Sequence, residues 1–144
     1  MLTSSAAVLS VAVCAIALIA CFVAMRRAVW AGVVATLGVG YLYGILRANI
    51  DSPIAQFVYD AALAGLFTAA LTRTLDARQR SRMRRLAPWV ICLMGWPTLL
   101  LLVPAQHPLI QIVGWRGNAL FVPFILIGAM VEDADMRLIA RSMA

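Results

Sequence analysis

The stretch SAAVLSVAVCAIALIACFVAM, residues 5–25, contains no charged side chain. At about 1.5 Å per residue, a helix of this length crosses a hydrocarbon core of roughly 30 Å. Lipid offers the backbone no hydrogen-bond partner, so a chain crosses a membrane as helices or as a closed barrel, and this run lacks the strict alternation of barrel strands. No positive side chain precedes the run, whereas Arg26 and Arg27 follow it, which favours a retained anchor over a cleaved signal peptide.

The composition of the whole chain also indicates a membrane protein. Of its 144 residues, 64% are hydrophobic and 12% are charged, and the mean hydropathy of +0.94 is well outside the range of an ordinary soluble domain. Polar residues separate four further apolar runs, at residues 28–46, 53–72, 86–104 and 115–131. The sequence therefore predicts an all-α, polytopic transmembrane helical bundle of about five spans, which forms a single domain over residues 1–144.

The distribution of arginines predicts how these spans are oriented. All 12 basic residues are arginines, and basic residues of short loops stay on the cytoplasmic side. Most of them follow the first, third and fifth spans, whereas only Arg47 and Arg116 follow the second and the fourth. We therefore expect the N-terminus outside and the C-terminus inside, with Arg47, Arg116 and His107 on the outer face.

The net charge of +6 and the pI near 10.3 are explained by this topology rather than by nucleic-acid binding. The densest basic run, RTLDARQRSRMRR at residues 73–85, is expected to be a cytoplasmic loop close to anionic lipid headgroups. Cys14, Cys21 and Cys92 fall inside apolar runs without metal-ligand spacing, so we expect them to pack as small side chains. The sequence contains no phosphate-binding loop, dinucleotide fingerprint or zinc-binding pair, and we predict neither a cofactor nor a metal.

Asp60 is the one acidic residue well inside a predicted span. On an insertion scale a central aspartate costs about 2.5 to 3.5 kcal/mol, which the apolar residues of the span only just offset. The span therefore needs neighbouring helices. Its carboxylate is a candidate functional, substrate-binding group, and a structural ion pair with Arg47 or Arg116 explains it equally well.

The pentapeptide GWRGN, residues 114–118, is a polar, turn-forming sequence in an apolar neighbourhood. Its two glycines favour a tight turn that presents Arg116 at the outer face, with Asn118 capping the next helix. A helix N-terminus beside a guanidinium forms an anion site suited to phosphate oxygens. The alternative is an ordinary loop with a snorkelling arginine, and His107 is expected to be a loop residue rather than a general base.

Two stretches resemble a known family. PLIQIVGWRGNALFVPFILIGAMVEDADMRLIAR, residues 108–141, is similar to a segment of the O-antigen ligase and O-antigen or exopolysaccharide polymerase superfamily. In that segment an outer loop with a G-[LW]-R-[GNS] core precedes an aromatic- and proline-containing span, an acidic patch and D-x-R-x-L. YGILRANIDSPIAQFVYDAALAGLF, residues 43–67, resembles the preceding pair of spans.

The resemblance implies a bacterial inner-membrane protein of a family that transfers glycans from polyprenyl-diphosphate carriers on the periplasmic side. Arg116 matches the arginine of the family's loop motif, and Arg47 is a weaker match, so both are candidates for holding the diphosphate. Family members are several times longer and contain a large periplasmic loop that has no counterpart here. The chain therefore resembles an amino-terminal portion that would act with further spans or a partner subunit, and its catalytic residues stay unknown.

A non-enzymatic helper subunit or a homo-oligomeric pore is the competing interpretation, in which GWRGN is only structural. A pore calls for a polar stripe along one helix face, which only Gln56, Asp60 and Thr68 approximate. A transporter usually contains related halves with broken helices, and the sequence shows no internal repeat.

Overall fold

A computed structural model describes residues 4–49, 54–103 and 108–143. Every regular element within these ranges is helical, with no strand among them. In chain order the elements are α1 (Ser4–Arg27), α2 (Val29–Asn49), a short 3-10 helix (Ala55–Phe57), α3 (Val58–Leu71), α4 (Ala77–Leu100), α5 (Pro108–Ala119), α6 (Phe124–Met130) and α7 (Asp133–Met143). The all-α class predicted from the sequence is confirmed.

Three helical segments are long and apolar enough to cross a membrane: Ser5–Arg27, Val29–Asn49 and Ile110–Met130. They coincide with the first, second and fifth predicted spans, although the last begins before the predicted residue 115. The third predicted span corresponds to a shorter apolar helix, Ala55–Leu71. The fourth, predicted at residues 86–104, overlaps α4 up to Leu100, and α4 begins earlier with arginine-rich turns. The described residues thus contain three spanning candidates, whereas hydropathy alone predicted about five.

Large apolar side chains cover the outside of the helices. Ile16 is 66% exposed, Trp89 67% and Ile91 70%. Soluble monomers rarely expose large contiguous apolar areas. An apolar exterior around closely packed small residues is typical of helices that associate in lipid.

The chain divides into two compact units. Unit 1 consists of Met1–Arg73 and Glu132–Ala144, so it contains the first three long helices and α7. In this unit α1 packs on α2 and α3, and α7 packs on α2. Unit 2 consists of Thr74–Val131, where α4 packs on both α5 and α6.

Helices α1 and α3 lie side by side and run in the same direction. Leu18 of α1 meets Gly65 of α3. Further along both helices, the backbone oxygen of Met25 accepts a hydrogen bond from Arg73. Because the contacts ascend together, the two helices are parallel, which is the arrangement expected of the first and third spans predicted from the sequence. The intervening helix, α2, begins beside the end of α1, because its Gly32 lies against Met25.

Small residues let these helices approach closely. A Cβ added at Gly65 would overlap the backbone oxygen of Leu18, so this glycine sets the separation of α1 and α3. Gly40 of α2 faces the ring of Tyr59, whose Cε2 lies 2.9 Å from the position that a Cβ would take. One buried cluster of the unit is correspondingly built from compact side chains, namely Ala17, Cys21, Val58 and Ala62.

Two arginines tie the ends of α1 and α3 together. Arg26 donates from Nη1 to the backbone oxygen of Thr72 at 3.0 Å and to its Oγ1 at 3.4 Å. Arg73 donates from Nη1 to the backbone oxygen of Met25 at 2.8 Å. Each guanidinium thus satisfies a carbonyl left open at the C-terminal end of the other helix, where the helix dipole also favours positive charge. We call these contacts the crossed arginine brace.

In unit 2, α4 begins within the segment predicted to be a loop. The loop prediction for residues 73–85 is wrong from Ala77 onward, where the helix starts. Asp76 is the N-cap, and its backbone N–H donates to Gln79 Oε1 at 3.2 Å. An N-capping aspartate with glutamine at the third helical position starts a helix even in a charged segment, and arginine is itself a good helix former.

Two side chains near the start of α4 hold the end of α6. Gln79 Nε2 donates to the backbone oxygen of Met130 at 3.1 Å. Arg82 Nη1 reaches the backbone oxygen of Val131 at 3.5 Å. Since residues three apart lie on one side of a helix, this side of α4 packs against the end of α6.

The pentapeptide GWRGN is part of a helix, so the predicted turn is wrong. It lies within α5, no glycine in the described ranges has a positive φ, and Asn118 Nδ2 donates back to the Gly114 oxygen at 2.8 Å instead of capping a later helix. In a segment as apolar as Ile110–Met130, an open turn would leave backbone groups without partners. That cost outweighs the turn preference of glycine and asparagine.

Candidate functional site

The three candidate residues all lie in terminal turns of helices. Arg47 is in the last turn of α2, Asp60 in the first turn of α3 and Arg116 in the last turn of α5. The first two belong to unit 1 and the third to unit 2. His107 lies outside the described residues, and the ion pair of Asp60 with either arginine stays a prediction.

Asp60 is half-buried among the helices of unit 1. Its carboxylate lies close enough to the Cys14 thiol of α1 to interact with it electrostatically. The same thiol contacts the backbone oxygen of Ile54 at 3.9 Å. A position among packed helices is the environment that the marginal hydropathy of its span requires for this carboxylate.

Two tyrosines beside Asp60 join α2 to α3. Tyr43 and Tyr59 stack with ring centroids 6.1 Å apart and an interplanar angle of 30°. The Tyr43 hydroxyl donates to the backbone oxygen of Gln56 at 3.2 Å. The rings therefore fix the start of α3 against α2, which holds Asp60 in a defined position.

Arg47 has a different environment from Asp60. It is exposed at the end of α2, and no residue in the described part of the chain hydrogen-bonds or pairs with it. Its guanidinium is therefore exposed and unpaired with respect to residues 4–49, 54–103 and 108–143.

Arg116 is half-buried at the end of α5. The anion site predicted here relied on a helix N-terminus beside the guanidinium. The structure instead places Arg116 at a C-terminal turn, where the dipole favours the arginine itself and contributes nothing to anion binding. Any anion at Arg116 would have to be held by the guanidinium alone.

Unit 2 contains an open groove of about 290 Å³ between the end of α4 and α5. One wall carries Pro97, Leu100, Leu101 and Val103. The other wall is one face of α5, formed by Ile110, Gln111, Gly114, Trp115 and Asn118. The groove thus combines apolar walls with an indole and two amides, the composition of many small-molecule sites.

Hydrogen bonds orient the polar groups of the groove. Trp115 Nε1 donates to Thr98 Oγ1 at 3.0 Å, which joins α5 to α4. Gln111 Nε2 donates to the backbone oxygen of Val103 at 2.6 Å, and Asn118 donates within α5. Because each amide uses an N–H on the protein, its oxygen is the group available to accept a hydrogen bond from a ligand hydroxyl.

Sequence reasoning missed this groove because it placed a turn at residues 114–118. Gln111, Trp115 and Asn118 follow one another at spacings of four and three residues, which is the period of a helix face. Arg116 is rotated by about 100° from Trp115 on a helix, so it lies outside the groove-lining stripe. The helical period, applied through the glycines, would have identified the stripe.

Among residues 4–49, 54–103 and 108–143, no three side chains of the metal-ligating types come together. Comparison with protein families, with curated proteins and with solved structures finds no match for this chain.

Proposed function

We propose that the chain is a multi-pass bacterial inner-membrane protein that takes part in glycan transfer from polyprenyl-diphosphate carriers on the periplasmic side. The observation that carries the proposal is the groove between the end of α4 and α5. Its α5 wall lies within residues 108–141, the stretch that resembles O-antigen ligases and polysaccharide polymerases. Aliphatic walls suit an isoprenoid chain, and amide oxygens beside an indole suit sugar hydroxyls.

The arginines of the outer side complete this proposal. Arg116 and Arg47 are each candidates for binding a diphosphate, because a guanidinium grips phosphate oxygens through two parallel hydrogen bonds. Asp60 is the third substrate-binding candidate, held in place by the tyrosines beside it. The chain would cross the membrane about five times, N-terminus outside and C-terminus inside, and would act with further spans or a partner subunit.

Replacing Arg116 tests the proposal. Arg116→Ala and Arg116→Lys should both weaken binding of a glycan-loaded polyprenyl diphosphate by roughly tenfold or more, since a hydrogen bond to a charged group contributes about 1.5–3 kcal/mol. Lysine keeps the charge but loses the fork. Binding is measured by titration into the purified protein in neutral detergent.

The control is Arg27→Ala, which removes an equal charge from an exposed position at the end of α1. This variant should bind as the wild type does. Equal affinities for Arg116→Ala and the wild type, with both proteins folded, would exclude a diphosphate site at Arg116.

That outcome would favour a non-enzymatic helper subunit or pore instead. Its supporting observation is the position of Arg116 in a C-terminal turn, outside the groove-lining stripe, where an arginine also has a purely structural use.

A further inference from the structure

The first turns of α4 carry a second, strongly basic cleft. This open cleft, of about 370 Å³, is lined by Ala77, Arg80, Ser81, Arg84 and Arg85. Three guanidinium groups and one hydroxyl therefore share it. All five residues lie on one helix of unit 2, and we call the feature the α4 basic cleft.

The cleft faces away from the packed side of α4. Gln79 and Arg82 hold the end of α6, as described above. At 100° per residue, the centre of the cleft-lining positions lies roughly opposite these two side chains. The contacts with α6 therefore fix the helix while leaving the cleft open.

The arginines of the cleft have no partner in the part of the chain that the structure describes. No side-chain hydrogen bond or ion pair there involves Arg80, Arg84 or Arg85. Arg80 and Arg84 are also four residues apart, and like charges at this spacing destabilise a helix. The one acidic residue of unit 2, Asp76, serves as the N-cap of α4. A bound anion would reverse this repulsion.

The position of the cleft along α4 indicates which anion. Immediately after Arg85 the helix becomes apolar, with Trp89 and Ile91 largely exposed. A helix with arginines next to exposed apolar residues places the guanidinium groups at the level of lipid headgroups. Phosphate oxygens are the headgroup atoms that match the arginine fork, and the Ser81 hydroxyl can donate a further hydrogen bond.

We infer that the α4 basic cleft is a binding site for phosphate groups, supplied by an anionic phospholipid of the leaflet in which α4 begins. The inference uses residence in a membrane and does not depend on glycan transfer. It is distinct from general attraction of arginines to a membrane surface, because it assigns recognition to Arg80, Arg84 and Arg85 specifically.

A charge-matched pair of triple variants tests the site. Arg80→Gln/Arg84→Gln/Arg85→Gln removes three charges from the cleft, and Arg27→Gln/Arg137→Gln/Arg141→Gln removes three from exposed positions outside α4. Binding of fluorescent phosphatidylglycerol to the full chain is titrated in neutral detergent micelles, with phosphatidylcholine as the neutral lipid. The cleft variant should bind phosphatidylglycerol at least tenfold more weakly, and the control should stay within twofold of the wild type. An equal loss in both variants, or no loss in the cleft variant, would overturn the site.

A second titration separates lipid from soluble phosphate. Inorganic pyrophosphate is titrated into the wild type and the cleft variant. If it binds the wild type as tightly as phosphatidylglycerol does and fails to bind the cleft variant, the cleft recognises phosphate, but its ligand is a soluble phosphate and the lipid assignment is wrong. Where the glutamine variant fails to fold, as judged by circular dichroism, Arg80→Lys/Arg84→Lys/Arg85→Lys replaces it. Weakened phosphatidylglycerol binding by this charge-preserving variant supports the arginine fork, and undiminished binding contradicts it.

Discussion

Gly65 decides the separation of two helices through a single missing Cβ. Its neighbour across the interface is a backbone carbonyl of α1, which cannot rotate away as a flexible side chain would. The separation of α1 and α3 therefore depends on a residue without a side chain. Nothing in the sequence distinguishes Gly65 from the other eight glycines, because the distinction depends on which helix lies opposite.

Gly65→Ala should destabilise unit 1. We expect a loss of about 1–3 kcal/mol, the usual cost of overpacking, seen as a lower midpoint of thermal unfolding in detergent micelles. Gly44→Ala is the matched control, because a Cβ at Gly44 meets nothing within 4 Å. A Gly65→Ala protein as stable as the Gly44→Ala protein would contradict the close approach of α1 and α3.

Asp60 and Arg116 show how far single residues could be interpreted from sequence. The prediction that Asp60 needs neighbouring helices agrees with its half-buried position in unit 1. For Arg116 the sequence predicted a turn around the residue, whereas the structure places the residue in a helix. Local preferences of glycine and asparagine describe chains in water, and they mislead where the surroundings offer the backbone no other partner.

At the scale of elements, hydropathy predicted the positions of α1 and α2 well. Both are long apolar runs ended by arginines. The start of α4 was missed because six arginines outweighed the Asp76 capping signal that begins the helix. The continuity of α5 was missed because two glycines were given the meaning that they have in loops.

The helical state of GWRGN can be tested with Gly117, which lies outside the groove and whose added Cβ would meet nothing within 4 Å. In a helix interior, Gly117→Ala should stabilise the protein by roughly 0.5–1 kcal/mol. Thermal unfolding in micelles should therefore shift upward. In a turn with positive φ the same substitution would destabilise the protein. A lower midpoint would therefore contradict the helix and support a turn at GWRGN.

At the scale of the whole molecule, the distribution of arginines along the sequence and the packing of α1 on α3 can be compared. The arginines after the first and third predicted spans were expected on the same side of the membrane. The structure brings the ends of α1 and α3 together through the crossed arginine brace, so one arginine from each group, Arg26 and Arg73, lies at the same end of unit 1. Hydropathy could not predict the division into two units, because that depends on which apolar faces contact each other.

Cysteine labelling tests the orientation of the chain. In a background of Cys14→Ala/Cys21→Ala/Cys92→Ala, single cysteines replace three exposed residues: Asn49, Ala77 and Ser142. An impermeant maleimide added to intact spheroplasts should label position 49 and spare positions 77 and 142, since basic loops stay inside. The reverse pattern would invert the orientation and remove Arg47 and Arg116 from the outer face.

The crossed arginine brace also has a consequence for the order of events during synthesis. Arg26 and Thr72 are 46 positions apart, and Met25 and Arg73 are 48 apart. When the ribosome has completed α1 and α2, neither Thr72 nor Arg73 has been made. The crossed arginine brace therefore cannot form before α3 has been synthesised, whereas all the residues that pack α1 against α2 are present by then.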